Sequence, residues 1–223
     1  VSAMSRRRRR GVSVPFSAQD VLARTIVRRV DPTLASVWIA LRKPASVRIQ
    51  LFPDLGPRRP ADQVPGKVRH DHTIAVGAEL HIVVALFEPD SQRLDWGQVF
   101  AYDVRITPDG GQEVGLGDLQ LLHSQPITTS DGRSHDHLAL GYTDSWLPSF
   151  VVPPPEALSL RIAHGSCRGT NTEGRDALGI VDELLGDAIG DPLGRPQMLW
   201  LTGDQIYADS TGAEHVTLIN RLG

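Results

Sequence analysis

Cysteine is all but missing: Cys167 stands alone among 223 residues. No intramolecular disulfide can form, so folding does not depend on an oxidising compartment. Long apolar runs are missing too. No stretch approaches the roughly 20 apolar residues of a membrane helix, and a membrane is not expected as a partner. Nor does one sign of charge dominate. With 23 Lys and Arg against 26 Asp and Glu, the formal net charge is −3, which exerts no global pull on nucleic acid or an anionic surface. No internal repeat is evident.

The one local excess of charge is Arg6-Arg7-Arg8-Arg9-Arg10. A twin-arginine export signal needs an apolar segment of roughly 7–15 residues after the arginines. Here the chain continues Val12-Ser13-Val14-Pro15-Phe16-Ser17-Ala18-Gln19-Asp20, too polar and too interrupted. Residues 1–22 are expected to be a disordered basic tail. Nucleic acid is not expected as a partner, apart from a weak contact through Arg6 to Arg10. A cytoplasmic location is the default expectation.

What is present suits a globular chain, with 40% hydrophobic and 22% charged residues, 16 prolines and 21 glycines. The first half reads as strands. In Val47-Arg48-Ile49-Gln50-Leu51 apolar and polar residues alternate, the period of a half-buried strand. Val37, Ile39 and Leu41 alternate with Trp38, Ala40 and Arg42, a less clean pattern of the same period. Residues 80–87 are apolar on both faces and are expected to be central in a sheet. Residues 99–106 place Phe100, Tyr102, Val104 and Ile106 opposite Asp103 and Arg105. Turn signals separate the runs at Pro53-Asp54-Leu55-Gly56, Pro108-Asp109-Gly110-Gly111 and Asp131-Gly132. These features predict a β-sandwich, immunoglobulin- or fibronectin-like, over 23–147.

The pattern changes at Pro148 and Pro153-Pro154-Pro155, so 148–157 is expected to be an extended linker. Beyond it the chain alternates strand, helix, strand. Residues 158–163 predict a short strand. Leu178, Val181, Leu185 and Ala188 recur at helical spacing before Gly190-Asp191-Pro192. Met198-Leu199-Trp200-Leu201 predicts a buried parallel strand. A last helix is expected from Thr211, with Glu214 completing a capping box.

In such a βαβ unit the two strands end at the same edge, where open α/β sheets bind ligands. The segments that follow them are His164-Gly165-Ser166-Cys167-Arg168 and Thr202-Gly203-Asp204-Gln205-Ile206-Tyr207. A thiol, a carboxylate and a phenol can therefore converge. A thiolate and a phenolate need a strong Lewis acid to stay deprotonated at neutral pH, and a carboxylate can bridge two cations. Gly203 is expected to allow a close approach of the backbone to a metal or phosphate. On spacing alone, a buried structural cysteine and an ordinary Gly-Asp turn account for the same residues.

His164-Gly165-Ser166-Cys167-Arg168, followed by a helix and then Leu201-Thr202-Gly203-Asp204-Gln205-Ile206-Tyr207-Ala208-Asp209, resembles the first two motifs of PhoD-like phosphatases. Arg28-Arg29-Val30-Asp31-Pro32 with Ser36-Val37-Trp38-Ile39-Ala40 is similar to the sandwich that precedes their catalytic domain. The resemblance runs from about Val27 onward and implies an α/β metallophosphoesterase domain over 158–223, incomplete in this sequence. By position it implies that Cys167 and Tyr207 ligate ferric iron. It further implies that Asp204 bridges to calcium or another divalent ion and that Arg168 contacts the phosphate, a structural ion pair being the alternative for Arg168. Asp209 matches an acidic family position, whereas Ser210 stands where many relatives have a second Asp. The family's later motifs, Asn/Asp-His and Gly-Asp-x-His, are not found after Tyr207. His70-Asp71-His72 and His135-Asp136-His137 are expected in solvated loops and do not replace them.

The expected function is therefore hydrolysis of phosphate mono- or diesters, the phosphate ester being the partner. The chain is expected to be a front portion with little activity alone, self-associating through an unfinished sheet. The alternative is a non-catalytic protein whose sandwich binds a partner or glycan.

Overall fold

The computed structural model describes residues 15–55, 62–90, 93–128, 134–137, 139–143, 146–168, 177–205 and 207. Its strands in chain order are β1 (Val21–Asp31), β2 (Leu34–Leu41), β3 (Ala45–Pro53), β4 (Asp71–His72), β5 (Ile74–Gly77) and β6 (Leu80–Phe87). They continue with β7 (Val99–Pro108), β8 (Gln125–Thr128), β9 (Ser134–His137), β10 (Ser149–Val151), β11 (Ile162–Gly165) and β12 (Met198–Leu201). One helix, α1 (Leu178–Asp187), lies between β11 and β12 in the chain.

Two antiparallel sheets, ordered β1-β2-β6-β5 and β10-β7-β3-β4, share one core. The period of two decides which side chains enter it. Ala35, Val37, Ile39 and Leu41 of β2 face Ala45, Val47, Ile49 and Leu51 of β3, and all eight are buried. Phe100, Tyr102, Val104 and Ile106 of β7 complete the layer. Each Val, Leu, Ile or Phe side chain among them gains about 1.5–3 kcal/mol from leaving water. This is the layering of a β-sandwich. Phe150 of β10 packs 6.1 Å from both the Phe100 and the Tyr102 rings. Burial pushes the Tyr102 hydroxyl up to about 12, and its oxygen pairs with Thr25 Oγ1 of β1 at 2.9 Å.

Several boundaries differ from expectation, each for a physical reason. β1 starts at Val21, inside the expected tail, and Phe16, Ala18 and Val21 pack on the core. The alternation of β1 is hidden because three register shifts interrupt its pairing with β2. The expected linker contributes an edge strand: Ser149, Phe150 and Val151 pair with Ala101, Phe100 and Val99. Edge position tolerates the flanking prolines, since one side of the strand needs no ladder partner. β6 lies inside its sheet as expected, but it is covered on one face only, with Val84 46% exposed.

On the outer face of β7, Arg48 holds Glu113 through Nε and Nη2 at 2.7 and 2.8 Å. Arg105 reaches Glu113 and Asp103, each at 3.2 Å. The hydrogen bond from Arg48, aided by Arg105, lowers the Glu113 carboxyl to about 2, whereas burial raises that of Asp103.

After the sandwich, β11 and β12 pair in parallel, with Ile162 opposite Met198 and Gly165 opposite Leu201. The strand expected over 158–163 is displaced, because Ala157–Ser159 form a 3-10 turn. Gln197 then grips Arg161 at the strand's start, through N–H to carbonyl at 3.0 Å and Oε1 from N–H at 2.6 Å. In α1 the anticipated stripe holds: Leu178, Val181 and Leu185, with Ala188 at the C-cap, are half-buried along with Gly186, while Ile180 and Leu184 are exposed. β12 is not the buried strand that its apolar run predicts. Leu199, Trp200 and Leu201 are 46%, 54% and 46% exposed, because among the described residues the pair has only β11 beside it. The helix expected from Thr211 lies outside the described residues, as do Arg6 to Arg10. Among the described residues no helix is long and apolar enough to cross a membrane.

Candidate metal centre

The parallel ladder of β11 and β12 does not stop with the strands. Thr202 N–H donates to the Gly165 carbonyl at 3.1 Å, Cys167 N–H to the Gly203 carbonyl at 3.0 Å, and Arg168 N–H to the Asp204 carbonyl at 2.8 Å. His164 Nε2 pairs with Thr202 Oγ1 at 2.8 Å across the same gap. Two loops that are far apart in sequence are thereby clamped side by side.

At that edge the side chains converge. Cys167 Sγ and Tyr207 Oη each lie 3.5 Å from one carboxylate oxygen, Asp204 Oδ2. Ser166 Oγ stands 3.4 Å from Cys167 Sγ and from the Gly203 carbonyl oxygen. The backbone is unusual at the two central positions. Cys167 has φ 57° and Asp204 φ 48°, both in the left-handed region that L-residues enter at a cost of about 1–2 kcal/mol. Asp tolerates it better than Cys. Gly203, by contrast, is not required by a tight approach among the described residues, for a Cβ there would meet only Ser166 Oγ, at 3.7 Å.

The Tyr207 hydroxyl is pushed up by local desolvation and then by the neighbouring Cys167 and Asp204, whose negative charge opposes a phenolate. A cation placed among the three would reverse that effect. The donor set fits one. Oxygen and sulfur ligands at about 2.0–2.3 Å from a common metal stand about 3–3.5 Å apart, close to the separations seen. The phenol–carboxylate distance of 3.5 Å is longer than the roughly 2.5–3.0 Å of a close O–H···O bond, so the three have not collapsed onto one another. The cluster is open to solvent, with Cys167 exposed and Tyr207 39% exposed. Cys167 is thus not a buried structural cysteine.

The structure brings Cys167, Asp204 and Tyr207 together and sets the exposed Arg168 beside Asp204 through the backbone. Asp209 and Ser210 lie outside the described residues. Apart from His70, which precedes β4, the histidine triplets sit on short strands rather than in loops. His72 lies in β4, and His135, Asp136 and His137 pair with Ile127, Pro126 and Gln125 across β8 and β9. His70 and His72 are exposed, while Asp71 accepts from Arg69 Nη2 at 3.0 Å and from Leu86 N–H at 2.8 Å, as a structural anchor does. Among the described residues, no three His, Cys, Asp or Glu side chains gather as a metal-binding group; the cluster has two of these types plus a phenol. Sequence reasoning missed Ser166 and the His164–Thr202 pair. Both lie in the quoted motifs, and only spacing across the two strands would have singled them out.

No family model matches the chain, and no curated protein matches it. Among solved structures it is similar to a candidate β-galactosidase from Bacteroides fragilis, at 10% identity and a TM-score of 0.24, over 89% of this chain. The chain spans 26% of the length of that structure. A score of that size carries no inference about fold or activity.

Proposed function

We propose that the chain belongs to a metal-dependent phosphoric ester hydrolase, in line with the resemblance of its two loop motifs to PhoD-like phosphatases. The observation that carries this reading is the convergence of Cys167, Asp204 and Tyr207 at the shared edge of β11 and β12. Cys167 and Tyr207 would hold ferric iron, and Asp204 would bridge toward a calcium or other divalent ion. Such cations supply positive charge to the phosphoryl oxygens and acidify a water for in-line attack. The residues of this chain do the rest. Cys167 and Tyr207 bring negative charge to one point, which selects a strongly Lewis-acidic ion. Asp204 offers its other oxygen to a second site. Arg168, exposed next to Asp204, would meet a phosphate oxygen. Three donors fill part of one coordination sphere, and the remaining positions need donors from other residues, substrate or water.

The test is optical. Ferric iron added to the protein should give a visible charge-transfer band from thiolate and phenolate, and orthophosphate should shift it. Tyr207→Phe should weaken the band, and Asp204→Asn should lower iron affinity at least tenfold. A colourless protein that takes up no ferric iron would sink the proposal.

A further inference from the structure

Arg195 is the only Lys or Arg buried among the described residues, at 4% exposure. Its surroundings do not match its charge. Nη1 donates to Ser149 Oγ at 3.0 Å and Nη2 to the Ser149 carbonyl at 3.1 Å, both neutral acceptors on β10. Nε is buried with no acceptor among the described residues. No carboxylate of the described residues pairs with it; Asp182, on α1, instead accepts from the Tyr142 hydroxyl at 2.8 Å. A guanidinium has five N–H donors and remains charged in proteins. Burying it against two neutral oxygens is expensive unless an anion shares the site.

Arg195 also lines a cleft of about 290 Å³ between the sandwich and α1. Its walls are mostly apolar: Ile26, Leu140, Trp146, Leu147, Leu185 and Ile189. A single buried cation beside an apolar hollow is how proteins receive an organic anion with a greasy body. The volume is at the small end for ligand sites. A phosphate dianion would ask for more donors than one arginine leaves open.

We propose that this cleft binds a small monocarboxylate with an aryl or short alkyl body, its carboxylate against Arg195 and its body against Trp146, Leu185 and Ile189. The site is separate from the metal centre. Arg195 precedes β12, whereas Cys167, Asp204 and Tyr207 gather past the other end of the strand pair. The two readings therefore stand or fall independently.

The experiment uses the full 223-residue chain and fluorine NMR of 4-fluorobenzoate, with the neutral 4-fluorobenzamide as its isostere. The acid should bind saturably and at least tenfold tighter than the amide. Arg195→Met should bring the acid down to the level of the amide, and Ile189→Trp, which fills the cleft, should remove both. Equal binding of acid and amide by the wild-type chain overturns the proposal, as does undiminished acid binding by Arg195→Met or no saturable binding at all. Displacement of the probe by orthophosphate at lower concentration than by benzoate overturns the carboxylate class. The acid–amide comparison needs no variant, so it decides even if Arg195→Met fails to fold.

Discussion

Cys167 Sγ lies 3.5 Å from Asp204 Oδ2 although 37 positions separate the two residues. Both have left-handed backbone, φ 57° and 48°. The contact is thus made where two segments of the chain leave a parallel strand pair, each with left-handed backbone at the contact. Strain held at a chemical cluster is the usual mark of a site selected for what it does rather than for stability.

Glycine separates the two roles. Cys167→Gly should stabilise the βαβ unit by about 1 kcal/mol and Asp204→Gly by less, because glycine enters the left-handed region without penalty and Asp tolerates it better than Cys. Each should also abolish ferric iron uptake. Urea denaturation read by the fluorescence of the four tryptophans, paired with iron titration, checks both. Stability falling in either variant would show that the side chain contributes more to the fold than the backbone strain costs.

Acid stability should depend on Glu113. Its folded carboxyl titrates near 2 against an ordinary value of 4.5. A lowered acid contributes stability above the unfolded value that is lost as pH falls from about 4.5 toward 2. The pairs it makes touch solvent, so the contribution is about 1 kcal/mol at neutral pH. Asp103 acts in the opposite sense, since its raised carboxyl makes protonation a relief. The difference between wild type and Glu113→Gln isolates the first effect. It should be about 1 kcal/mol at pH 6 and vanish by pH 2.

The exposure of β12 on both faces predicts self-association. Leu199, Trp200 and Leu201 present apolar surface that monomers rarely leave open. Sedimentation velocity should show a concentration-dependent increase in mass, reduced in Trp200→Ser. A strictly monomeric wild type at 100 µM or so would remove the idea.

Much of the sandwich was legible along the chain. Val47-Arg48-Ile49-Gln50-Leu51 alternates because a strand with one face in the core has no other choice. The same rule found Phe100, Tyr102, Val104 and Ile106. It failed at β1, whose register shifts break the period, and at 149–151, where flanking prolines masked an edge strand. The site residues were legible as types and as motif. That Cys167 is open to solvent, and that Asp204 rather than Gly203 takes the unusual backbone, was not.

The sequence by itself determined the inward faces of the strands, the helical stripe of α1 and the donor chemistry of the two loops, because each depends on local period and residue type. Tertiary structure alone decided which carboxylate oxygen the thiol and phenol share, and that β12 stays half open. It also decided that Arg195, unremarkable between Gly194 and Pro196 in the chain, is buried against Ser149 with no counter-charge among the described residues. Those outcomes rest on contacts between segments tens of residues apart, and no local pattern encodes such contacts.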